Sequence, residues 1–241
     1  MDQPVLSEIK HWLTESPTKG PQVIHADTLL KTVGLLGILM PWLLITGSWM
    51  LGSEEVIQDS ISDYYHSPKV RDLFVGVLCA IAFFLSAYNG YDRRDRIASA
   101  MACAFALGVA FFPTTPDGAD ADVIGRWHLV FAASFFIVLT VFALYLFRSF
   151  DPRKGKTPEK INRDRVYLVC GIIMAASLVI IMAYMLWLSD RWAWLDRIRP
   201  VLLFESVALS AFGFSWLVKG GFILRDRPAS KRVPGEEGLH G

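Results

Sequence analysis

Five side chains in this chain have the types from which a site could be built: Asp63, His66, Arg71, His128 and Glu205. Glu205 is the most informative, because it is the only charged residue in the apolar run 200–218. Counted from Pro200 at 1.5 Å per residue, it lies about 7.5 Å along a helix. An acid placed there without a partner costs about 2.5–3.5 kcal/mol on insertion scales, so something must offset it. The groups able to reach that depth are Arg71 and Asp72, His128, and Thr114 or Thr115.

Three arrangements follow from these residue types. Glu205 could pair with Arg71, or share a hydrogen bond with His128, and do no more than hold helices together. Alternatively, Asp63, His66, Arg71, His128 and Glu205 could line a pocket for a small polar solute or a lipid headgroup. Finally, His66 and His128 with Glu205 or Asp63 would form a two-histidine, one-carboxylate set. Such a set could hold zinc with one position open for water, and a second carboxylate could act as general base. The two histidines stand on different elements, with no HExxH pair to fix their geometry.

The elements that must position these groups are read from hydropathy. Of the 241 residues, 53% are apolar and only 20% charged, and the mean hydropathy is +0.38, a balance that points to a bilayer as the solvent. Runs of about 20 residues without Asp, Glu, Lys or Arg match the ~30 Å hydrocarbon thickness. They fall at 32–51, 73–91, 97–116, 127–147 and 166–189, and 200–218 joins them apart from Glu205. The runs are apolar at odd and even positions alike, which excludes barrel strands. The expected fold is all-α: six transmembrane helices in one bundle over 27–220, preceded by a cytoplasmic arm over 1–26 and followed by a disordered tail over 221–241.

Orientation follows from the connecting segments. Eighteen of the 24 Lys and Arg fall on the side of the two termini and six on the other, so the termini are expected in the cytoplasm and the ISDYYH loop (61–66) outside. The expected location is a bacterial inner membrane. In the loop, Tyr64 and Tyr65 are expected at headgroup level. The arm carries PVLSEIKHWLTE, an amphipathic pattern suited to the inner leaflet or to the protein's own cytoplasmic loops.

Smaller signals refine the helices. Ala100, Ala104 and Gly108 form a small-residue stripe, which predicts a central third helix, and Pro41 predicts a kink in the first. Thr157 and Pro158 predict a capped start for the fifth helix outside the membrane, and Asp27 is a candidate cap for the first. GYDRRD reads as a turn whose charges anchor helix ends. FPTTPDGADAD is acidic but lacks the spacing of a calcium loop. Cys79, Cys103 and Cys170 have no metal-type spacing, and nothing points to nucleic acid.

The uncharged first span, the outer Ile61-Ser62-Asp63, Pro68 and Arg71 leading into the second span resemble the six-span group containing the damage-regulated autophagy modulators and related bacterial domains. That resemblance implies a polytopic membrane protein without an established chemistry. Ser, Asp and His at one face are also similar to membrane hydrolases of the alkaline ceramidase type, although their paired histidines on one late helix are missing and six spans replace seven. The preferred expectation is a non-catalytic binder of a small polar solute or lipid headgroup, sensor-like or transporter-like. A zinc-dependent hydrolase of a lipid or amide, and a structural protein without ligand, are the alternatives.

Overall fold

The computed structural model describes residues 25–88, 90, 92–116, 119–120, 122–149, 157–188 and 195–224. The amphipathic pattern of the arm and nearly all of the tail lie outside the described residues. Within them the chain is all-helical: α1 (Ala26–Met50), α2 (Arg71–Ser86), α3 (Arg93–Phe111), α4 (Val123–Val141), α5 (Pro158–Ala183) and α6 (Pro200–Lys219). A π turn, Phe142–Leu146, extends α4, and another, Tyr184–Leu188, extends α5. Short 3₁₀ segments, Ser62–His66 and Leu195–Ile198, precede α2 and α6.

Among the described residues, four stretches are long and apolar enough to cross a bilayer: Ala26–Met50, Val123–Leu146, Pro158–Leu188 and Asp196–Lys219. Trp42, Phe83, Val179 and Trp187 are each 63–68% exposed, which suits a protein whose surroundings are lipid. The other two helices are less clear as spans. α2 has 16 residues, about 24 Å of helix, and α3 opens with Arg93, Arg94, Asp95 and Arg96 in its first turn.

The starts of the helices follow local chemistry. Thr157 caps α5 by accepting the Lys160 N–H at 3.2 Å, with Pro158 at the first helical position, as its sequence predicts. Asp92 and Asp95 form a reciprocal cap at α3, so the acids of GYDRRD hold a helix end. Gly90 makes the turn possible: its φ is +55°, and an added Cβ would come within 2.1 Å of Asp95. α1 begins one residue before Asp27, which stands in its first turn rather than at the cap. Pro41 lies inside α1 without ending it.

Packing differs from the expectation for the third helix. α6 is wedged between α1 and α5, while α3 packs between α2 and α4. Ala100 and Ala104 are exposed, and the buried face of α3 instead carries Ser99, Ala102, Ala106 and Gly108. Of the stripe read from the sequence Gly108 is buried, whereas Ala100 and Ala104 lie roughly half a turn from Ser99, Ala102 and Ala106. α1 and α6 approach each other closely, for an added Cβ on Gly34 would lie 2.6 Å from the Gly213 carbonyl and one on Gly213 only 2.3 Å from that of Gly34. Side chains excluded there let the two backbones meet.

Candidate functional site

Glu205 faces the inside of the bundle, and its partner is a backbone group. Its Oε2 accepts the N–H of Ile61 at 2.7 Å. Ile61 is 5% exposed and precedes the 3₁₀ segment Ser62–His66. Each of the companions anticipated from the sequence was a side chain, so the reading missed this contact: any residue can offer an N–H, and composition carries no trace of it.

The same loop is stitched along the first turns of α6. The Leu202 N–H donates to the Asp59 carbonyl at 2.9 Å, which satisfies one of the donors that a helix start leaves free. Arg199 places one guanidinium nitrogen 2.8 Å from Glu55 Oε1 and another 3.5 Å from Asp59 Oδ1. Arg199 also has a left-handed backbone, φ 48°, uncommon for a side chain of this size. Residues 55–61 are thus held to α6 through two charge pairs and two backbone amides.

Tyr64 is the central anchor of the loop. It is fully buried, and its hydroxyl donates to the Val56 carbonyl at 2.9 Å. The 3₁₀ turn points this ring into the protein and away from its surroundings; Tyr65 is half-buried and packs edge-on against Phe74. Burial pushes the Tyr64 phenol above its ordinary value near 10. Ser60 closes the turn by accepting the Asp63 N–H at 3.0 Å.

The two histidines serve one neighbouring segment. The exposed His66 donates from Nε2 to the Thr114 carbonyl at 2.7 Å. His128, 1% exposed, donates from Nδ1 to the Phe112 carbonyl at 2.6 Å. Both clamp the chain leaving α3, and Asp122 caps α4 through Gly125 N–H at 2.7 Å on its far side. The opposite nitrogen of His128, Nε2, is buried with no hydrogen-bond partner among the described residues. Arg71 pairs with its neighbour Asp72 at 3.6 Å in an exposed position and lies 6.0 Å from the Tyr65 ring centroid. No Glu205 to Arg71 ion pair and no Glu205 to His128 hydrogen bond forms.

Two consequences bear on chemistry. The zinc alternative needs His66, His128 and a carboxylate in one place, yet among the described residues no three His, Cys, Asp or Glu groups gather to hold a metal. The cavity beside Glu205 has a volume of about 30 Å³ and is walled by Met40, Phe74, Leu78, Phe135 and other apolar groups. It has room for a water molecule at most. Of the five residues, Glu205 lines this cavity, while His66 and His128 are engaged at the end of α3 and Arg71 is paired with Asp72.

The large concavity lies elsewhere. A groove of about 1060 Å³ runs along α6 between α1 and α5, with Trp42 and Ile45 on one wall, Val169 and Ile173 on the other, and Leu203 and Val207 on its floor. Its lining is almost wholly apolar, apart from the hydroxyls of Ser206 and Ser210 and three arginines, Arg165, Arg197 and Arg199. Ser206 and Ser210 each donate to the carbonyl four residues earlier at 2.7 Å, so they add little polarity to the groove. No family model, no curated protein and no solved structure matches this chain.

Proposed function

We propose that the chain is a six-span protein of a bacterial inner membrane, with both termini cytoplasmic, and that it binds a membrane lipid without catalysing a reaction. Six spans are favoured because 73–91 and 97–116 are as free of charge as the four longer segments, and α2 and α3 pack together beside them. The orientation rests on the eighteen-to-six distribution of Lys and Arg. Cysteines introduced at Glu54 and at Thr157 test it: an impermeant maleimide added to intact cells should label the first and leave the second untouched.

The observation that carries the lipid reading is the contrast between the two cavities. The one beside Glu205 holds about 30 Å³, whereas the groove along α6 holds about 1060 Å³ and opens where lipid would stand. A small polar solute would meet hydrocarbon walls in that groove, and acyl chains would meet surfaces like their own. Under this reading Glu205 and the ISDYYH loop seal the outer end of the bundle.

Native mass spectrometry of the protein in mild detergent tests the proposal. Wild type should retain lipid, and Val207→Trp, which fills the groove from its floor, should retain severalfold less at an unchanged melting temperature. Equal retention by both proteins would remove the groove as the lipid site.

A further inference from the structure

We propose that the groove selects an anionic phospholipid whose phosphate is seated on Arg165; this rests on the lipid reading above. Among the described residues, the three charged ones lining the groove are all arginines, and no acid lines it. They are not equivalent. Arg199 is already engaged by Glu55 and Asp59, and Arg197 follows Asp196 on a rim that also bears those two acids. An anion approaching that end meets carboxylates as well as guanidinium.

Arg165 stands at the other end under different electrostatics. It is exposed, and it has no hydrogen bond or ion pair among the described residues. The residues one helical turn away on α5 are Ile161, Asn162, Leu168 and Val169, all neutral. The adjacent acid, Asp164, is held by Lys160 at 2.6 Å, and Arg163 donates to the Leu224 carbonyl at 2.7 Å. Among the described residues, the charge left over at this end of the groove is therefore a cation.

The geometry below Arg165 suits acyl chains. Arg165, Val169 and Ile173 succeed one another four residues apart on α5, so the cation tops an apolar stripe on one helix face. From Arg165 to Ile173 the stripe extends about 12 Å, and the α6 floor from Phe214 back to Leu202 extends about 18 Å. One leaflet of a ~30 Å core is about 15 Å deep. A phosphate on Arg165 would thus let its chains lie along the groove within a single leaflet, on the side that carries most of the basic residues. Basic positions between helices on that side are known places for anionic headgroups.

The test uses the delipidated full-length protein in mild detergent, titrated with phosphatidylglycerol or phosphatidylcholine of identical chains and read by native mass spectrometry. One basic residue near such a headgroup favours it about fivefold. Wild type should therefore retain phosphatidylglycerol about fivefold better, Arg165→Gln should bind both equally, and Arg165→Lys should restore the preference. Arg197→Gln should keep it. Melting temperatures within a degree or two of wild type should accompany all three variants. Equal retention of the two lipids by wild type, or a preference that survives Arg165→Gln, overturns the headgroup assignment while leaving the groove intact. Retention of neither lipid, or a dimer that covers the groove and excludes both, overturns the lipid reading together with this inference.

Discussion

Replacing Glu205 with leucine removes the acceptor for the Ile61 N–H, a 2.7 Å bond to a backbone group that is otherwise shut away from water. Leaving such a donor unpaired costs about 1–3 kcal/mol. The penalty for placing an acid in the membrane is common to the folded and unfolded states of an inserted chain, and to first order it cancels. For a protein of this size each kcal/mol moves the melting temperature by about 2–4 °C, so Glu205→Leu should melt on the order of 5 °C lower. Glu205→Gln keeps a carbonyl oxygen at the same reach and should remain within about 1 kcal/mol of wild type. Intrinsic tryptophan fluorescence during heating gives the melting temperatures, and hydrogen exchange gives the local effect. In the leucine variant the amides of 55–61 should exchange faster, and in the glutamine variant they should stay protected. A leucine variant as stable as wild type with an unaltered Ile61 amide would refute the idea that this carboxyl group anchors the loop.

Four further outcomes follow from the packing. Gly34→Ala and Gly213→Ala should each lose about 1–3 kcal/mol through overpacking, since the new methyl meets the opposing backbone at 2.6 and 2.3 Å. Gly76→Ala, with nothing within 4 Å of the added Cβ, should gain about 0.5–1 kcal/mol from helix propensity. Tyr64→Phe should lose about 1 kcal/mol with its bond to the Val56 carbonyl. Because burial raises the Tyr64 value above 10, its contribution is present below pH 10 and falls as the unfolded phenol ionises first; the phenylalanine variant should lack this component of alkaline destabilisation in a pH series of melting curves. Asp164→Asn leaves the Lys160 ammonium, whose side chain is 17% exposed, with the Phe147 carbonyl at 3.2 Å. It should cost about 1–3 kcal/mol, below the range for a fully buried pair, and denaturation in detergent checks it.

Much of the fold was legible in the chain because the hydrophobic effect acts on composition. The long uncharged runs mark the helices, and Thr157 with Pro158 marks the start of α5. Boundaries were less legible: α2 ends at Ser86, not 91, and α3 starts at Arg93, not 97. Charge-free length locates apolar surface, whereas capping hydrogen bonds decide where helical geometry stops. The face of α3 was misplaced because small residues occur on more than one of its faces, and the choice among them depends on which neighbours arrive.

By itself the sequence determined that this is a helical protein with membrane-capable segments, and that Glu205 is an anomalous acid needing a partner. Both conclusions follow from the free energy of moving groups out of water, which depends on residue type and local pattern. Only the tertiary structure decided that the partner is the Ile61 amide, that Tyr64 points inward, and that the two histidines clamp the end of α3. It also decided that the open space lies along α6 between α1 and α5. These features join residues up to 144 positions apart, and backbone groups, identical at nearly every position, make several of the contacts. No residue type announces them before the helices have packed.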